Sequence, residues 1–175
     1  MDTQNERVES HHGVLMNVAG SGVLIIGSPA IGKSSLALEL LSQGHQLIAD
    51  DIIDFYSTNN SIIGHCPVML SGLLHTRELG LISIPAVFGN TAWQRQYQLD
   101  YVIELTQQHD SNINLVVEKQ FYKVLNHHFP LLTLSITTPA SLPNRLLCWL
   151  NMQTNPYAAE NELKQHQTTL MGIAT

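Results

Sequence analysis

The eight residues Gly27-Ser28-Pro29-Ala30-Ile31-Gly32-Lys33-Ser34 constrain the fold of this chain more than any other stretch. They satisfy the spacing G-x-x-x-x-G-K-[ST] without a gap. Val23-Leu24-Ile25-Ile26 before them is a short apolar run that reads as a strand buried on both faces. Ser34 to Gln43 after them has helical composition, and Gly44 stands where a helix C-terminal glycine belongs. A strand entering a glycine loop and a helix leaving it bring backbone N–H groups and the positive helix end to one point, which suits an anionic phosphate. In that arrangement Lys33 reaches the β- and γ-phosphates of a nucleoside triphosphate and the Ser34 hydroxyl ligates Mg²⁺. The alternative is a plain glycine turn between strand and helix.

The rest of the chain reads as a β-rich α/β domain around that central helix. Gly13 to Val18 is an expected strand, joined through Gly20-Ser21-Gly22 to the strand before the loop, so the two form a hairpin. His45 to Ala49 is another, ending in Asp50-Asp51 and continuing through Ile52 to Tyr56. Asn59-Asn60 marks a turn before Ile62-Ile63. Cys66 to Gly89 is apolar with scattered Gly and Pro and reads as short elements wrapped around a site. Four more strands are expected at Leu99 to Leu105, Leu115 to Glu118, Tyr122 to Leu125 and Leu131 to Ile136. Pro139 to Pro143 reads as a loop, Arg145 to Met152 as a short helix, and Pro156 to Leu170 as a terminal helix with proline in its first turn. A polar, uncapped start predicts a loose tail over residues 1–11 and one domain over 12–175.

Bulk composition narrows the function classes. The chain has 175 residues, 44% of them hydrophobic and 13% charged, enough for one packed core. Its net charge of -6 and the lack of any basic run argue against nucleic acid, whose phosphate backbone demands a positive patch. Nine histidines include two adjacent pairs, His11-His12 and His127-His128, but no spacing matches a zinc pattern. Cys66 and Cys148 stand alone with no secretory leader, which fits a reducing, cytoplasmic setting. No stretch approaches the roughly 20 apolar residues that cross a bilayer, so a membrane is not an expected partner.

Asp50 and Asp51 close a strand where doubly wound sheets place their ligand groups. One carboxylate can hold Mg²⁺, usually through water, and its neighbour can take a proton from an attacking hydroxyl. The bland reading is a solvated acidic turn.

These residues carry a resemblance. His12-Gly13-Val14, the loop, Gly44-His45 and Leu47-Ile48-Ala49-Asp50-Asp51 are similar to the catalytic domain of bacterial HPr kinase/phosphorylase, which phosphorylates a serine of the phosphocarrier protein HPr and can remove it again. The likeness continues through Leu73-Leu74-His75-Thr76-Arg77-Glu78-Leu79-Gly80-Leu81-Ile82 and Phe88-Gly89, then fades after about residue 105. It implies the phosphoenolpyruvate carboxykinase-like P-loop fold, ATP and Mg²⁺ as cofactors, an HPr-like phosphocarrier as partner, and a homo-oligomer, commonly a hexamer. It also implies roles: Asp50 as base in the kinase direction and acid in reverse, His12 beside it, Asp51 near the metal with Ser34, and Arg77 holding phosphate charge with Lys33. Gly27, Ser28, Pro29, Ala30, Ile31, Gly32, Lys33, Ser34 and Ser35 make the nucleotide-binding segment.

The departures from the family pattern are specific. Ser35 and His75 stand where the family has acidic residues, Glu78 replaces a glycine, and Pro29-Ala30 replace Ser-Gly. The basic loop the family uses for phosphorolysis has no counterpart in Thr106 to Asn114. Full-length members carry a regulatory domain before the kinase domain, whereas about eleven residues precede His12. Three readings therefore stay open: a serine kinase, with or without phosphorylase activity, acting on HPr or a related phosphocarrier; a catalytically weakened ATP-binding sensor; and a kinase of a small hydroxyl metabolite.

Overall fold

The computed structural model describes residues 8–108 and 118–173. A hairpin comes first, β1 (Glu9–Val18) and β2 (Ser21–Gly27), followed by the loop, α1 (Lys33–Ser42) and the long strand β3 (Gln46–Ser57). Short elements follow: β4 (Ile62–His65), β5 (Leu73–Thr76), β6 (Gly80–Ser83), α2 (Ile84–Phe88) and β7 (Gln96–Gln98). Then come β8 (Tyr101–Thr106), β9 (Gln120–Val124), β10 (His127–Ser135), α3 (Leu142–Thr154) and α4 (Ala158–Ile173). The chain divides into two compact units, Met1–Pro143 and Asn144–Thr175. The strands and α1 belong to the first, and α4 with most of α3 to the second.

Eight strands form one mixed sheet in the order β7-β4-β3-β1-β2-β8-β10-β9, and β5 pairs with β6 in a separate ribbon. β2, β8 and β10 run parallel to one another, while the remaining pairs are antiparallel. The central place of β1 explains its sequence. Val14, Leu15, Met16 and Val18 are all fully buried, so both faces of the strand are covered, and an alternating pattern would strand a polar row in the core. α1 buries Leu36, Ala37, Leu40 and Leu41. A separate cluster joins Leu15, Leu24, Ile53, Phe55, Val102 and Val124. Each such side chain taken from water contributes about 1.5–3 kcal/mol.

α1 ends as its sequence predicts. Gly44 has φ 89°, its N–H reaches the Leu41 carbonyl at 3.0 Å, and the His45 N–H reaches the Leu40 carbonyl at 3.1 Å. This is a Schellman closure, and a glycine at that left-handed position avoids a Cβ clash.

Several boundaries differ from the sequence expectation. β1 begins at Glu9 rather than near residue 12, because its first residues pair with β3 and are tied from the far side. Glu9 accepts hydrogen bonds from the Leu125 N–H at 3.0 Å and from His11 Nε2 at 2.6 Å, and His11 Nδ1 meets the Tyr122 hydroxyl at 3.0 Å. α3 starts at Leu142, placing Pro143 in its first turn instead of in a loop, a position where a missing N–H costs nothing. Pro156 sits in the turn before α4, not inside the helix. Leu115 to Val117 of the expected strand at Leu115 to Glu118 lie outside the described residues, as do positions 1–7 of the expected tail. No described helix is long and apolar enough to cross a membrane.

Candidate functional site

The loop leaves β2 at Gly27, whose φ is 142°, and a Cβ there would stand 2.7 Å from the Leu105 carbonyl of neighbouring β8. Only glycine lets the backbone pass at that point. Gly32, at φ 112°, caps α1 and its carbonyl accepts from the Leu36 N–H at 2.9 Å. Between them Ile31 is buried and anchors the loop, whereas Ala30 stands at φ 63°. A left-handed alanine stores roughly 1–2 kcal/mol, and backbone strain of this kind persists only where surrounding structure enforces it.

Lys33 folds back over the loop. Its ammonium donates to the Gly27 carbonyl at 3.0 Å and to the Ser28 carbonyl at 3.1 Å, which places a positive charge against the amide-lined bend. Ser34, next on α1, turns its hydroxyl to Asp50 Oδ1 at 3.5 Å.

Asp50 is 8% exposed, one of the few buried polar residues among those described. Burial pushes its carboxyl up from the ordinary value, the backbone N–H groups of His75 and Asp51 pull it back in part, and the Asp51 charge adds to the upward push. The His75 N–H donates to Oδ2 at 2.8 Å and fixes the carboxylate plane. A raised carboxyl is the environment of a proton acceptor that works near neutrality.

Asp51 is exposed and has φ 72°, an uncommon conformation for aspartate inside a strand. His12, on adjacent β1, places Nδ1 3.2 Å from the Asp51 carbonyl oxygen and 3.6 Å from its carboxylate. A contact to a carbonyl requires Nδ1 to carry the proton, leaving Nε2 free to accept or, when charged, to donate.

His12, Gly27, Lys33, Ser34, Asp50, Asp51 and His75 line one cavity of about 680 Å³. Gly32, Lys33, Ser34, Ser35, His75 and Arg77 line a second, of about 550 Å³, on the α1 side of the loop. Of the sequence-predicted residues, His12, Gly27, Pro29, Ala30, Lys33, Ser34, Asp50 and Asp51 border the first cavity, Gly32, Ser35 and Arg77 border the second, and Ser28 and Ile31 border neither, so Arg77 lies apart from Asp50. His75, which the sequence marks as a departure, borders both. Its main-chain clamp on Asp50 left no sequence signal, because any residue but proline supplies an N–H.

Ser34, Asp50 and Asp51 offer hard oxygen donors on one cavity wall, the chemistry Mg²⁺ takes. Among the described residues no cluster of three or more His, Cys, Asp or Glu could hold a metal alone. The two cysteines are free, Cys66 buried with its thiol pushed up by burial and Cys148 exposed.

Known proteins resemble the chain along this same framework. The family described as HPr Serine kinase C-terminal domain matches residues 4–166. A relative named HPr kinase/phosphorylase from Cupriavidus metallidurans is 43% identical over 116 residues, which are 65% of this chain and 36% of the relative. One of the same name from Bordetella avium is 50% identical over 95 residues, 54% of this chain and 31% of the relative. The chain therefore matches about a third of the length of these curated relatives. The solved structure described as the Hpr(Ser) kinase/phosphatase from Coxiella burnetii superposes with a TM-score of 0.75 at 29% identity, covering 91% of this chain and 98% of that one. With the phosphate loop, the buried aspartate and a family match across most of its length, the chain belongs to the HPr serine kinase C-terminal domain family.

Proposed function

We propose that the chain is an ATP-dependent serine kinase acting on HPr or a related phosphocarrier protein. The observation that carries this reading is the meeting of Ser34 and buried Asp50 across 3.5 Å at the mouth of the phosphate loop. A serine hydroxyl entering the cavity beside Asp50 gives its proton to that carboxylate while its oxygen bonds to the terminal phosphorus. The bond from that phosphorus to the bridging oxygen breaks, and ADP leaves. Lys33 holds charge on the transferred group, and Ser34 with Asp51 would hold Mg²⁺, which supplies charge neutralisation of the phosphate oxygens when bound. In the reverse direction protonated Asp50 would return its proton to the serine oxygen, a step its raised carboxyl favours.

Incubation with terminally labelled ATP, Mg²⁺ and purified HPr is expected to place label on an HPr serine. Label no greater than that given by a Lys33→Ala protein would overturn the reading. ATP binding without transfer would instead favour a nucleotide sensor, for which Ser35 and His75, standing where acidic residues are expected, are the motivating residues.

A further inference from the structure

Transfer at Asp50 brings an anionic group up against carboxylates. The moving phosphoryl spreads its charge over three oxygens, while the wall of the Asp50-side cavity carries Asp50 and Asp51 against a single lysine, Lys33. Besides Lys33, two side chains on that wall carry nitrogen donors, His12 and His75. His12 is engaged with Asp51, at 3.2 Å from its carbonyl and 3.6 Å from its carboxylate, and Lys33 with the Gly27 and Ser28 carbonyls. The His75 imidazole has no hydrogen-bond or ion-pair partner among the described residues. Arg77 adds a cation only to the other cavity, where the carboxylates of Glu39 and Glu78 offset it.

β5 sets where that ring stands. Its residues alternate, with Leu74 and Thr76 buried and Leu73 and His75 on the open side, and His75 pairs across the ribbon with exposed Leu81. Leu73 and Leu81 border the Asp50 cavity, Arg77 borders the other, and His75 borders both. Distance narrows its partner. A hydroxyl about 2.6–3.2 Å from Asp50 that attacks phosphorus from about 3–3.5 Å holds that phosphorus within about 7 Å of the carboxylate. His75 is anchored to the same carboxylate by its own N–H, at 2.8 Å from Oδ2, so its side chain begins inside that sphere. The ring carries at least one N–H whether neutral or charged, so it donates in either state.

We propose that His75 is a further catalytic residue, whose imidazole N–H donates to an oxygen of the phosphoryl group as that group passes from ATP to the acceptor serine. The ring keeps its proton throughout. The acceptor's proton goes to Asp50, the serine oxygen bonds to phosphorus, and the bond from phosphorus to the bridging oxygen of ADP breaks. This role rests on the kinase reading and adds a donor where the family pattern has an acidic residue.

Single-turnover transfer to HPr, with calorimetry of ATP and of ADP plus aluminium fluoride as a mimic of the group in flight, tests it on the parent and on His75 variants. The clamp on Asp50 is main-chain and survives substitution, the side chain is exposed, and a thermal melt confirms folding. His75→Ala should slow transfer by about 10²–10³-fold and weaken the mimic by a similar factor, while ATP binds within about threefold of the parent. Asn and Gln place an N–H near Nδ1 and Nε2, and one of them should restore transfer to within about tenfold. His75→Glu should transfer more slowly than His75→Ala, because a carboxylate repels the phosphoryl oxygens. Transfer by His75→Ala within threefold of the parent, equal losses for ATP and the mimic, failure of both amides, or recovery in His75→Glu overturns the role of His75 alone. A parent that labels HPr no better than Lys33→Ala overturns the kinase reading and this role together.

Discussion

Replacing Asp50 by Asn separates the catalytic use of the carboxylate from its cost to the fold. Asn keeps the shape and an oxygen for the His75 N–H, now at 2.8 Å from Oδ2, but cannot take up a proton. Loss of a positioned base slows phosphoryl transfer by about 10²–10⁴-fold, or about 3–5 kcal/mol of barrier. Stability moves the other way. Burial raises the folded carboxyl above its ordinary 3.8, so the folded chain retains a proton that the unfolded chain has released. The unfolded state then binds fewer protons, and stability falls as pH climbs from that ordinary value through the raised one, then levels off. Asn removes this decline. The variant should therefore match the parent near pH 4 and melt higher at pH 8, each kcal/mol relieved appearing as about 2–4 °C of Tm. Parent transfer should rise with pH across the same interval as the base loses its proton. Melts across pH, with single-turnover transfer of labelled phosphate, measure both. A variant that melts below the parent at pH 8, or transfers within tenfold of it, would refute the assignment of Asp50 as a desolvated base.

Lys33→Ala should weaken ATP by at least about tenfold, since hydrogen bonds to charged groups are worth about 1.5–3 kcal/mol, and equal calorimetric affinities would count against the phosphate role. Gly64→Ala probes the core beneath the site, because the added Cβ would stand 2.5 Å from Leu15 Cδ2 and 2.6 Å from Phe55 Cε1. Overpacking of that kind costs about 1–3 kcal/mol, read as a lower urea midpoint with an unchanged slope, and a neutral result would mean that β4 shifts freely.

What could be read from the sequence was local. The strand, loop and helix from Val23 to Gly44 are set by neighbours a few positions apart, and their boundaries fell within two residues of those observed. The partner of β2 was not legible. β8 lies more than seventy positions later and slots beside it in parallel, a choice made by side-chain packing across the sheet rather than by any turn. The early start of β1 was hidden for the same reason, since Glu9 and His11 are held by Leu125 and Tyr122, far along the chain. At the site, residue types announced Lys33, Ser34 and Asp50. The separation of Arg77 from Asp50 depended on how the β5–β6 ribbon turns, and no pattern of residue types encodes that.

The strand order also sets a distance. β3, which carries Asp50, and β2, which feeds the phosphate loop, are not neighbours, because β1 runs between them. Two inter-strand steps of about 4.8 Å separate their axes by roughly 10 Å, and this gap is made of hydrogen-bonded backbone. Side-chain substitution cannot widen it. Diversification toward a new acceptor would thus have to act through the chain from Cys66 to Gly89, which forms the rim, while the span between loop and base stays as rigid as the sheet itself.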